Sequence, residues 1–155
     1  MSSELGRIAQ LLRHAYDGSP WYGTALHKLL TGVSAETAST HPIAGAHTIY
    51  QEVLHIIAWR KFATRLLRGE SVTRLSDDEN WPKSGACDVA SWQQTLEDLA
   101  QTQDALESAI AGLTDDRLSE KALGETFSLY VLLHGVIQHD AYHAGQIAML
   151  RNAAK

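Results

Sequence analysis

Along four long stretches of this chain hydrophobic residues recur every three or four positions, and nowhere do they alternate long enough to make a strand. That periodicity demands helices that each bury one face. The first stretch, Ser3 to Tyr16, aligns Leu5, Ile8, Leu11, Leu12 and Ala15, and Asp17-Gly18-Ser19-Pro20 ends it. A short helical piece is expected from Gly23 to Leu30, followed by a loop through His41-Pro42 to Gly45. Thr48, with Gln51 three positions on, reads as a capping box that opens a second long helix, unbroken to Leu67. Glu70 to Ala86 is irregular. Asp88 then caps a third helix that ends at Gly112 and buries Trp92, Leu96, Leu99, Leu106 and Ile110. Thr114 to Gly124 is a connector with room for one helical turn, and Thr126 or Ser128 opens a last helix reaching Arg151. The pattern predicts an all-α protein, an antiparallel four-helix bundle, with residues 1–155 forming a single domain.

Composition narrows what such a bundle does. Eighteen acidic against thirteen basic residues give a formal charge of −5 with no basic run, which argues against a nucleic-acid partner. No stretch approaches the roughly 20 apolar residues of a membrane span, so no membrane partner is expected. The opening MSSELGRIAQLLRHAYDG is an amphipathic helix pattern rather than an export signal, and the expected compartment is the cytoplasm. Cys87 is alone, so neither a disulfide nor a cysteine-based zinc site can form within the chain. Eight histidines remain as the conspicuous excess.

Helical phase sorts those histidines. His139 and His143 are four apart, hence one turn apart on a single face, within about 40° of each other. Leu132, Val136, Gln146 and Leu150 share that face, which turns the pair inward, whereas His134 points roughly the opposite way from His143. A catalytic ion typically takes three protein donors. The second helix offers His55, on a stripe continued by Trp59, Phe62 and Leu66, while Lys61, Arg65 and Arg68 face solvent. Taken singly, His55 also fits a hydrogen-bonded core residue and the pair an ordinary solvated face. Taken together, three imidazoles suit Zn²⁺, Ni²⁺, Cu²⁺ or Fe²⁺ rather than Mg²⁺ or Ca²⁺. His47 is assigned to helix entry, and His14, His27 and His41 carry no pattern. Glu52 and Gln146 are placed to orient a ligand or to serve packing, Trp59 to wall the site, and Tyr142 is an outlying candidate.

The stretches HGVIQHDAYHAGQIAMLR, with its His-x3-His-x-Gly-Gln core, and AHTIYQEVLHIIAWRKFATRLLRGE resemble the DinB/YfiT-like superfamily of bacterial bundle proteins. SPWYGTALHKLL, Thr40-His41-Pro42-Ile43-Ala44-Gly45 and Asn80-Trp81-Pro82 extend the resemblance over nearly the whole chain. It implies a four-helix bundle, often a homodimer, that binds a divalent transition metal, zinc or nickel, through three histidines. By motif these are His55, His139 and His143, the three that helical phase had already selected. The resemblance further implies a transferase using a low-molecular-weight thiol, such as bacillithiol or mycothiol, on a small-molecule electrophile.

Two other readings stand beside a metal-dependent thiol S-transferase. One is a hydrolase at the same three ligands; the other is a non-catalytic metal-binding or stress-response protein whose ion ties the second and fourth helices together. Substrate choice is expected to lie in the loops Pro20 to Gly23 and Asp77 to Gly85.

Overall fold

The long helices begin where their caps are written. In the computed structural model, which describes residues 3–72, 74–83 and 85–155, α1 (Glu4–Asp17) starts after Ser3, whose hydroxyl accepts the Gly6 N–H. Met1, Ser2, Thr73 and Ser84 lie outside the described residues, the last two within the stretches expected to be irregular. Two further N–H groups at the head of α1, those of Glu4 and Leu5, are taken by the carboxylate of Asp115, far away in sequence. Gly18 follows the helix in a non-helical conformation that only glycine fits, since a Cβ there would lie 2.7 Å from the Cα of His14.

Two short helices follow, α2 (Leu26–Leu30) and α3 (Ala35–Ser39). Gly23, at φ 146°, stays outside α2, so the expected piece begins three residues late. The expected loop after Gly32 contains α3. Ser34 caps it and it buries only Ala35 and Ala38, too short a pattern to register as periodicity.

The second long helix, α4 (Ile49–Leu67), carries the anticipated reciprocal capping box of Thr48 and Gln51. Beyond it, α5 (Asp77–Asn80) is a single turn capped by Ser76 and Glu79, inside the stretch read as irregular. The third long helix, α6 (Val89–Ala111), opens on Asp88, and a 3-10 turn at Asp115–Ser119 supplies the connector's helical turn. The last, α7 (Leu129–Ala153), opens on Ser128. Among the described residues there is no strand, only an isolated bridge between Lys121 and Ser128. No helix among them is long and apolar enough to cross a membrane.

These elements make the all-α four-helix bundle, with α4 against α6 and α7, and α1 against α7 and α6. The pairs α4/α7 and α1/α6 are antiparallel: Glu52 meets His143 while Arg60 meets Asp140, and Arg13 meets Glu107 while the head of α1 meets Asp115. The helices α4 and α6 run the same way. Tyr50 packs edge-on to Trp92 near both starts, and Leu66 shares a core cluster with Ile110 near both ends. The connection from Arg68 to Asp88 must therefore return along the bundle, and it lays α5 across α4.

The core is two apolar clusters. One gathers Leu5, Ile8, Phe62, Leu106 and Leu133; the other gathers Leu26, Val53, Ile56, Leu99 and Ile147. Between them on α7 lie His139, Asp140 and His143, facing Glu52, His55 and Arg60 of α4: a belt of polar groups between two hydrophobic halves. Of the stripes read from the sequence on α1 and α6, only Leu11 is exposed and only Leu96 half-buried; the other named positions of these two helices are buried.

Candidate metal centre

Three imidazoles converge in the polar belt. His55 projects from α4, and His139 and His143 from successive turns of α7, with potential ligand atoms all within 4.8 Å of one another. His55 and His143 are buried and His139 is half-buried. The Nε2 atoms of His55 and His139 are 3.1 Å apart. Two nitrogens bound to one zinc-sized ion at about 2.0–2.1 Å, at angles between octahedral and tetrahedral, would be about 2.9–3.4 Å apart. The spacing and the donor set both fit a divalent transition metal.

The remaining ring nitrogens hold those donors in place. His55 donates its Nδ1–H to the Asn80 carbonyl at 2.6 Å, and His143 donates its Nδ1–H to Glu52 Oε2 at 2.6 Å. Each bond keeps the proton on Nδ1 and leaves the Nε2 lone pair open. Glu52 thus has the orienting role, as one of its two sequence readings expects. Gln146 does not: its amide nitrogen is 3.5 Å from His143 Nδ1, whose proton Glu52 already accepts.

Burial keeps His55 and His139 neutral. The pKa of His139 is pushed down to about 3, mainly by loss of water, with His143, His55 and Arg60 adding unfavourable charge. His55 is also pushed down by burial, partly opposed by its bond to Asn80. At neutral pH both offer unprotonated nitrogen.

Around the triad the aromatic packing is close. Trp81 is sandwiched between His55, with ring centres 4.0 Å apart, and His47, at 3.6 Å. His47, expected only at helix entry, thus also braces the cover of the site. Trp59 walls the site as anticipated, edge-on to His55, and its Nε1–H donates to Asn80 Oδ1 at 2.7 Å. Asn80 therefore ties the crossover to α4 through both backbone and side chain. Tyr142 is exposed and edges against His143. One helical turn from the triad, fully buried Arg60 forks onto Asp140 through Nε and Nη2, at 3.3 and 2.8 Å, with Tyr16 beneath the guanidinium and Nη1 without a hydrogen-bond partner. The three rings stand at one end of a cleft of about 590 Å³ that also runs past Trp59, Phe62, Phe127 and Val136.

The other histidines stay away from the triad. His14 donates its Nδ1–H to the Ser19 carbonyl, His27 lies beside Asp17, His41 lies beside the Ala46 carbonyl, and His134 packs on Tyr130. Cys87 is half-buried and its thiol is pushed up by burial and then by Asp88, the opposite of activation. Sequence reasoning missed the roles of Asn80, Trp81, Arg60 and Asp140. Asn80 acts on His55 through its carbonyl, which no side-chain pattern reveals, whereas Asp140, the one acidic residue of α7 and set on its inward face beside His139, was a usable signal for the ion pair.

Comparisons with curated proteins and with solved structures gave no match. The family model of the DinB superfamily matches residues 23–147, a span that includes all three converging histidines. The chain belongs to the DinB superfamily.

Proposed function

We propose that His55, His139 and His143 hold one divalent transition metal ion, zinc or nickel, through their Nε2 atoms, and that the chain is a metal-dependent thiol S-transferase. The observation that carries the metal reading is the convergence of three imidazoles, two of them with the far nitrogen already hydrogen-bonded. Among the described residues no fourth His, Cys, Asp or Glu joins the group, which leaves room for an exogenous ligand, as catalytic rather than structural sites do.

When bound, such an ion is a Lewis acid that favours the deprotonated form of a thiol at neutral pH. The chain's own residues prepare that chemistry. Glu52 and the Asn80 carbonyl fix two ring tautomers, Trp81 covers His55 from solvent, and Trp59 borders the space in which a small electrophile would sit. In the transfer, thiol sulfur attacks the electrophilic carbon and a C–S bond forms. The leaving group departs with its electron pair, and the thiol proton passes to solvent. The thiol and the homodimeric state follow from the family resemblance.

A structural ion is disfavoured by a specific contact: Arg60 and Asp140 already tie α4 to α7 beside the site. Elemental analysis of purified protein should find about one zinc or nickel per chain, lost in His139→Ala with the helical content retained. Incubation of the loaded protein with a chloro-aromatic electrophile and a panel of bacterial thiols should release chloride. Metal uptake without turnover for any thiol would leave a metal binder and end the transferase reading. Sedimentation at working concentration checks the homodimer.

A further inference from the structure

The cleft that begins at the three histidines contains little that is charged. Beyond the rings its lining is hydrophobic, with Trp59, Phe62, Ala63, Phe127, Leu132 and Val136 prominent. Among the described residues Arg60 is its sole acidic or basic side chain apart from the histidines, and Asp140 meets that guanidinium in a two-point pair. An ionic ligand would lose its water there and find only a guanidinium whose charge Asp140 already balances, with Nη1 as a single spare donor. Gly135 also lines the cleft, in the middle of α7, where glycine costs helix stability. A Cβ at that position would meet nothing within 4 Å, so the glycine is not required by packing; it leaves space. About 590 Å³ suits a small organic molecule.

We propose that this cleft receives the uncharged hydrophobic body of a small molecule, aromatic or aliphatic, and that Gly135 sets how large that body can be. The inference rests on the reading of the three histidines as the reactive end and names the class of electrophile that end would meet. Gly135 acts here as a specificity residue, one that admits substrate bulk.

A matched pair of fluorescent probes tests it on the full-length, metal-free chain: N-phenylnaphthylamine, which is neutral, and anilinonaphthalenesulfonate, which adds one negative charge. The neutral probe should bind once per chain with energy transfer from Trp59 and Trp81, and the sulfonate at least tenfold more weakly. Gly135→Leu should weaken the neutral probe at least tenfold. Gly135→Ala, a change that favours the helix, should weaken it less and guards against misfolding as the cause. Equal binding of the two probes, tighter binding of the sulfonate, or unaltered binding by Gly135→Leu would overturn the proposal. Zinc uptake is measured on the same samples. A wild-type chain that binds the neutral probe as expected but takes no zinc supports the cleft and defeats the metal reading; normal zinc uptake with no probe binding does the reverse.

Discussion

Glu52 on α4 accepts the Nδ1–H of His143 on α7 at 2.6 Å, and both side chains are buried. The bond joins the two helices that supply the three rings and orients one ring for metal. Glu52→Gln keeps the volume and one acceptor but removes the carboxylate. Zinc affinity should fall about 10–100-fold, the usual range for such a partner, while circular dichroism stays unchanged. Competition against a chelator of known strength measures the loss, and unchanged affinity would show that Glu52 only packs.

Asp140 shares two hydrogen bonds with fully buried Arg60. Asp140→Ala strands a guanidinium in the core and should cost about 3–5 kcal/mol in urea unfolding. Replacing both partners, as Arg60→Met with Asp140→Leu, should recover most of that stability, because no buried charge is then left alone. A double variant as unstable as the single one would mean that the pair's geometry, rather than its charge balance, supports the bundle.

The metal-free chain should lose stability in acid for a reason local to the site. His139 takes up a proton only near pH 3 in the folded state, against about 6.5 when unfolded, and His55 is shifted in the same direction. Below about pH 6.5 the unfolded chain therefore binds protons that the folded chain refuses. This contribution is complete above that pH and declines as the pH falls toward 3. Urea midpoints of metal-free protein between about pH 7.5 and 4.5 should fall less steeply in His139→Gln than in the wild type. Parallel curves would exclude His139 as a source of the acid sensitivity.

Asp115 predicts a different acid response. Its carboxyl is held below the ordinary range by the Leu5 and Glu4 N–H groups that it accepts. Its stabilising effect is present above about pH 3.8 and disappears as the pH falls through the lower folded value. At neutral pH Asp115→Ala should melt below the wild type, and the gap in melting temperature should close in strong acid. A gap that persists there would assign the effect to the 3-10 turn rather than to the cap of α1.

The parts of this molecule that obey local rules were legible in its sequence. Thr48 and Asp88 cap their helices as read, Ser128 is the one of two candidate caps that opens α7, and the inward phase read for His55 and for the His139–His143 pair agrees with their coming together. The unread parts are governed by distant contacts. Asp115 caps a helix that begins more than a hundred residues earlier, and Asn80 meets His55 through a backbone carbonyl. The single turn α5 has too few residues to show a period. Arg60 escaped notice because an arginine on an amphipathic helix normally reaches solvent, and only the Asp140 side chain explains why this one does not.

The shared direction of α4 and α6 has a consequence for how this architecture can diversify. The returning segment between Arg68 and Asp88 supplies the roof over the three histidines, through Asn80 and Trp81, and among its described residues it contributes no long helix to the bundle. Val72, Leu75 and Cys87 pack against the core, but the stretch around Asn80 and Trp81 can change with little repacking of the four long helices, and such changes alter what reaches the histidines. Scaffold and access are thus written largely in separate stretches of one chain: with the Asn80 carbonyl kept to hold His55, the rest of the roof can vary what reaches the rings.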